Sequence, residues 1–101
     1  MRTSLFIYLI FFLGVEALFG GSISGRVIDG KNGEEIPGAT VAVAGTHKGT
    51  AANIDGEFYI GGLEPGVYAL YCSFISYEPT EIPDVVVGEE DEVVVEIELY
   101  G

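Results

Sequence analysis

The chain has 101 residues, enough for one small domain, and carries 16 acidic residues against four basic ones for a net charge of −12. That balance disfavours nucleic acid and anionic membrane surfaces as partners, because both are bound by clustered Lys and Arg. With one His and one Cys, the side chains from which a nucleophilic site is built are scarce.

The first feature in chain order is a continuous apolar run from Leu5 to Val15 behind Arg2. It is shorter than the roughly 20 residues a membrane-crossing helix needs, and Gly14 and Glu16 interrupt it where an anchor would continue. Residues 1–20 therefore read as a secretory signal peptide. Cleavage is expected near positions 17–21, after Val15-Glu16-Ala17 or at Gly20 or Gly21. No Cys follows the leader, so lipid attachment there is not expected. The mature domain is then residues 21–101, and the protein is expected to be exported, to the periplasm, outer membrane or cell surface.

Ile23 to Asp29 reads as the first strand, with Ile23, Gly25 and Val27 on one face. Asp29 to Glu34 is a turn-rich loop. Thr40 to Ala44 places Val41 and Val43 together and leaves small residues opposite. Gly45 to Gly49 is a second loop, and Thr50-Ala51 a short extended segment. Asp55-Gly56, ahead of the alternating Glu57-Phe58-Tyr59-Ile60, predicts a β-hairpin closed by Gly56 at positive φ. Glu64-Pro65-Gly66-Val67 predicts a second reversal, a type II turn with Pro65 presetting φ and Gly66 at φ > 0. Between Val67 and Phe74, Tyr68, Leu70, Cys72 and Phe74 share one face, which marks a central strand. Pro79 and Pro83 bracket a segment expected to be irregular or an edge, followed by a short strand at Asp84 to Val87. Gly88 to Asp91 is an exposed acidic turn. The alternation of Val93, Val95, Ile97 and Leu99 against Glu92, Val94, Glu96 and Glu98 ends the chain with one face buried and one wet. No helical period survives after the leader. Strands every 8 to 12 residues with turn signals between them predict an all-β sandwich of about seven strands.

An ordered set of short motifs runs through this pattern: Ser24-Gly25-Arg26-Val27-Ile28-Asp29, Ile36-Pro37-Gly38-Ala39-Thr40-Val41-Ala42-Val43-Ala44-Gly45-Thr46, Gly49-Thr50, Asp55-Gly56-Glu57-Phe58, Leu63-Glu64-Pro65-Gly66-Val67-Tyr68 and Phe74-Ile75-Ser76-Tyr77. Together they resemble the carboxypeptidase regulatory-like domain, a transthyretin-like Greek-key β-sandwich of exported bacterial proteins. The resemblance covers nearly everything after the leader. It implies a non-catalytic attachment of the kind found before the plug of TonB-dependent outer-membrane receptors or beside exported peptidases. One departure is Ala51-Ala52, where the family often carries a polar Thr-Asp pair before the turn.

Chemistry has few places to reside. His47 lies in a Gly-flanked loop beside Lys48, with no cue pairing it to a Ser or Cys, and reads as a solvated loop residue. The many carboxylates sit in turns or on polar strand faces, where the apolar burial that raises a catalytic pKa is absent. No enzyme activity and no cofactor are expected. Asn53-Ile54-Asp55-Gly56 is similar to the middle of a calcium loop, but Ala51 and Gly62 occupy the places of its first and last carboxylates. The Glu89-Glu90-Asp91-Glu92 run reads as a solvated turn rather than a metal site. Cys72 shares its row with Leu70 and Phe74 and reads as a buried, unpaired thiol. Tyr59 and Tyr71 alternate away from the core row and are the candidate ligand-binding residues, able to stack on sugar rings or anchor a protein. For Tyr71 the competing expectation, and the favoured one, is packing under a loop. The partners expected are protein, meaning receptor or transporter components, or a surface glycan. Membrane contact is expected only through a fused or neighbouring protein. A stand-alone glycan- or protein-binding module and a regulatory attachment of a peptidase are the alternatives to a receptor role.

Overall fold

The computed structural model describes residues 20–101, so the expected signal peptide lies outside them apart from Gly20. Seven strands follow one another: β1 (Gly21–Asp29), β2 (Thr40–Val43), β3 (Gly49–Ala51), β4 (Glu57–Leu63), β5 (Gly66–Ser73), β6 (Thr80–Val87) and β7 (Glu92–Leu99). They form a three-stranded sheet in the order β4-β1-β7 and a four-stranded sheet in the order β3-β2-β5-β6. This is the expected all-β sandwich, and the strand count agrees.

Alternation decides which side chains meet between the sheets. Ile23 and Val27 of β1, Phe58 and Ile60 of β4, and Ile97 and Leu99 of β7 are buried from one side. Val41 and Val43 of β2, Leu70 and Cys72 of β5, and Val85 and Val87 of β6 are buried from the other. Each such Val, Ile or Leu contributes roughly 1.5–3 kcal/mol when removed from water. The first and last strands lie side by side in parallel, in unbroken register from Ser22↔Glu92 to Asp29↔Leu99. A parallel pair cannot be joined by a tight turn, so everything from β2 to β6 lies between its members in sequence.

Of the two turns expected at the centre of the chain, the one at Asp55-Gly56 is present but does other work, whereas the reversal after Glu64 is a bend at Pro65 and not the expected type II turn. Gly56 is at φ 74, and its N–H donates to the Asn53 carbonyl at 2.9 Å. The side-chain oxygen of Asn53 accepts from the N–H groups of both Asp55 and Glu57, at 2.9 Å each, so Asn53 supplies the polar capping that Ala51-Ala52 cannot. Yet β3 and β4 belong to different sheets, and the Asp55-Gly56 turn carries the chain across the sandwich rather than closing a hairpin. The expected reversal at Pro65-Gly66 is there, and it passes from β4 to β5 in the opposite sheet. Gly66 is not left-handed. Positive φ falls instead on Gly62, at 69, inside a bulge where Gly21 faces Leu63 but Ile23 faces Ile60. The extra residue restores Leu63 to the core.

β6 is an edge strand, as expected, but it is longer than Asp84 to Val87 and runs through Pro83. The pairings Tyr68↔Val85 and Leu70↔Ile82 leave Pro83 and Asp84 opposite Ala69 alone. An edge bulge with Asp84 at φ 60 accommodates a residue that has no N–H to donate.

Candidate functional site

Because β1 and β7 run the same way, the sandwich has an entry end, where both begin, and an exit end, where both finish. The antiparallel pairings place the β2–β3, β4–β5 and β6–β7 connections at the entry end. The β1–β2, β3–β4 and β5–β6 connections lie at the exit end, where the Glu78 N–H donates to the Tyr100 carbonyl at 2.7 Å.

Tyr59 and Tyr71 both point away from the core and are 64% and 51% exposed. They are not brought together, for Tyr59 is on β4 of the three-stranded sheet and Tyr71 on β5 of the other. Each has a structural occupation. The Tyr59 ring covers Gly61, where an added Cβ would fall 2.7 Å from the phenol oxygen, so a glycine two residues on makes room for the ring. Tyr71 does not pack under a loop. It stands open on the sheet surface, directly across from Glu81 in the β5–β6 register. Hydrogen bonding to Glu81, reinforced by its charge, pushes the Tyr71 phenol above its ordinary value.

On the outer face of the three-stranded sheet a shallow depression of about 520 Å³ opens over Ser24 and Gly25. Arg26 lies in it between Glu57 of β4 and Glu96 of β7, its register partners on either side. Sequence reading missed this row, since only the parallel β1–β7 pairing aligns Arg26 with Glu96. The signal that was available is that Arg26 is the sole Arg after the leader.

The residues able to do covalent chemistry are kept apart. His47 is exposed in the β2–β3 loop at the entry end, whereas Cys72 is 0% exposed in the core. Burial pushes the Cys72 thiol up to about 11, the wrong direction for a nucleophile. In the acidic turn, the Asp91 carboxylate accepts from the Gly88 N–H at 2.9 Å, which uses the carboxylate to close the turn. Among the described residues no group of three or more His, Cys, Asp or Glu is gathered as a metal site would require.

The two ends differ in one respect. Thr46, His47, Lys48, Glu64, Glu89 and Glu90 stand exposed at the entry end beside Pro65, whereas the exit end adds to its exposed Lys31, Asn32 and Glu34 two large aliphatic side chains, Ile54 and Ile75, with 83% and 80% of their surface exposed. Sequence reading passed over both, because a single apolar residue in a turn carries no periodic signal.

Comparison with known proteins agrees with this architecture. The chain is 28% identical over 95 residues to the TonB-dependent receptor SusC of Bacteroides thetaiotaomicron, an alignment that takes in 89% of this chain and 9% of the receptor. It is 38% identical over 61 residues to a TonB-dependent receptor of Formosa agariphila, covering 60% of this chain and 6% of that one. The chain thus spans less than a tenth of the length of these relatives. Among solved structures, a chain of a type II cohesin–X-dockerin complex from Acetivibrio cellulolyticus superposes with a TM-score of 0.67 at 23% identity, over 79% of this chain and 57% of that one. A putative carbohydrate-binding protein from Bacteroides uniformis does so with a TM-score of 0.59 at 21% identity, over 77% and 40%. At these identities the likeness is one of fold. Residues 22–100 match the sequence profile of the carboxypeptidase regulatory-like domain, and the chain belongs to that family.

Proposed function

We propose that this protein is an exported, non-catalytic accessory module that works joined to, or beside, a TonB-dependent outer-membrane receptor. The observation that carries the reading is the match between nearly the whole sandwich and a small part of two such receptors. The separation of exposed His47 from buried Cys72 supports a role without covalent catalysis. So does the placement of the carboxylates in turns and on wet strand faces, away from apolar burial. The test has two arms. Removal of residues 20–101 is expected to reduce uptake through the receptor, and unchanged uptake and receptor abundance would reject the receptor role. The purified domain is expected to turn over neither peptides nor glycosides. Turnover abolished by His47→Ala would reject the non-catalytic reading.

Glycan recognition is a second reading, favoured by the open Tyr59 ring over Gly61 and by the polar row of Glu57, Arg26 and Glu96 on the same face. Aromatic rings that present one face to solvent stack on sugar rings. Titration with oligosaccharides would shift Tyr59 resonances and leave Tyr71 unmoved. Absence of any shift at millimolar sugar removes this reading.

A further inference from the structure

Resting on the receptor reading above, we propose that the exit end of the sandwich is the surface that packs against the body of the TonB-dependent receptor, with Ile54 and Ile75 as its contact points. These are the two most exposed large apolar side chains among the described residues, at 83% and 80%. Each occupies the second position of a four-residue turn. Ile54 does so in the turn closed by the Gly56 N–H on the Asn53 carbonyl, and Ile75 in the turn closed by the Tyr77 N–H on the Phe74 carbonyl at 3.1 Å. Turn tips are ordinarily polar or Gly and Pro, and a β-branched apolar residue there gives the free domain no burial. Both turns flank the same segment. The Gly38 N–H donates to the Ala52 carbonyl on the Ile54 side, and Gly38 lies against the Phe74 ring on the Ile75 side.

The backbone beneath Ile75 adds a second observation. Ser76 is held at φ 72, a conformation that costs a residue with a Cβ and that persists where surrounding structure imposes it. Ile75 stands 80% exposed at the tip of this strained turn. The entry-end turns carry Thr46, His47, Lys48, Glu64, Pro65, Glu89 and Glu90 at their tips and no Ile, Leu or Phe.

Geometry also indicates what covers this end. β7 finishes here, and Gly101 lies beside the Ser76 carbonyl, 3.2 Å from where its Cβ would stand. In a receptor to which this domain is joined through its last strand, the receptor body is held nearest the end where β7 finishes, beside Ile75. Asp55 follows Ile54 and Glu78 lies three residues after Ile75. The matching receptor surface is therefore an apolar patch rimmed by Lys or Arg.

The test places a photo-crosslinking amino acid at position 54, 75, 59 or 67 of the full chain, in cells that produce it joined to the receptor or together with it, with crosslinked peptides read by mass spectrometry. All four side chains are more than half exposed, so none of these replacements disturbs the core. Receptor peptides are expected from 54 and 75 at ten or more times the yield from 59 and 67. The Ile54→Ser, Ile75→Ser double variant is expected to lower recovery of the receptor complex at least tenfold with an unchanged melting temperature. Equal or greater yield from 59 or 67 would leave the receptor as partner and overturn the exit end as its surface. Crosslinks only between two copies of this chain would overturn it too. Receptor peptides from no position would reject the receptor reading itself, and this inference with it.

Discussion

The Tyr77 hydroxyl donates a 2.8 Å hydrogen bond to Oδ2 of Asp29, a residue 48 positions earlier. Asp29 ends β1 in one sheet and Tyr77 lies in the β5–β6 connection of the other, so this bond ties the two sheets at the exit end. The other carboxylate oxygen accepts from the backbone of Lys31 at 2.8 Å and Asn32 at 3.3 Å, which fixes the loop leaving β1. The Tyr77 bond, with help from these backbone donors, holds the Asp29 carboxyl below its ordinary value. The same bond raises the Tyr77 phenol.

A two-sided pH dependence follows. A carboxylate whose pKa is depressed by folding contributes stability above its unfolded value, near 3.9, and loses it as pH falls through the folded value. A phenol whose pKa is raised by folding contributes below its unfolded value, near 10, and loses it as pH rises through the folded value. Wild type minus Tyr77→Phe, in melting temperature against pH, is expected to be positive and flat from about pH 5 to 9. It should shrink at both extremes. Because Tyr71 and Tyr100 are also raised by their neighbouring glutamates, only the difference between the two proteins isolates this contact. A difference that persists unchanged at pH 2 would show that the Asp29 carboxylate is not involved.

Ser76→Gly is expected to stabilise the free domain. The turn holds position 76 at φ 72, where a Cβ crowds the neighbouring carbonyl and glycine does not. Against this stands the larger unfolded-state entropy of glycine, which leaves a net gain of about 0.5–1 kcal/mol. Urea unfolding with an unchanged slope and a raised midpoint is the expected readout. A lowered midpoint would mean that the serine hydroxyl contributes more than its backbone costs.

The strands were legible because each sheet is wet on one side. Burial on the other side enforces a two-residue period, and Val93, Val95, Ile97 and Leu99 display it without interruption. The turns were legible as chemistry but not as topology. Asp55-Gly56 demands a left-handed glycine whichever strand follows, so the sequence of the turn cannot distinguish pairing within a sheet from crossing between sheets. Gly62 was missed because a bulge breaks the period locally and looks like the end of a strand. The Glu57–Arg26–Glu96 row and the cluster at the exit end were illegible for another reason. Their members come from separate segments that only the β1–β7 pairing and the strand directions bring into line.

Gly25 is expected to tolerate no side chain. A Cβ there would fall 1.6 Å from the Val95 carbonyl oxygen, so β1 and β7 approach through a gap that only hydrogen can fill. The obstacle is backbone in a parallel pair held at eight register positions from Ser22↔Glu92 to Asp29↔Leu99, and it cannot rotate away as a side chain would. Gly25→Ala is expected to cost about 3 kcal/mol or to prevent folding, at the upper end for overpacking. Ser24→Ala next to it should lie within about 0.5 kcal/mol of wild type, as surface changes do. Equal stability of the two variants would place β7 differently against β1.

Cys72 tests the core itself. Its side chain is fully buried in the central strand β5, between Val41 of β2 and Thr80 of β6 in the cross-strand register. No other cysteine exists to pair with it, so its thiol is held by packing alone. Burial has raised it to about 11, and at neutral pH both the thiolate fraction and the access that a disulfide reagent needs are low. Labelling is therefore expected to proceed through opening of the sandwich, slowly in buffer and at the rate of a free thiol in denaturant. Because the tie between Asp29 and Tyr77 helps keep the two sheets together, Tyr77→Phe should speed native labelling of Cys72 without altering the rate in denaturant. If opening is fast relative to labelling, the acceleration tracks the loss in stability, and if labelling outpaces reclosing it tracks the opening rate instead. Native labelling as fast as in denaturant would place Cys72 outside the core and disprove the inward orientation of its side chain on β5.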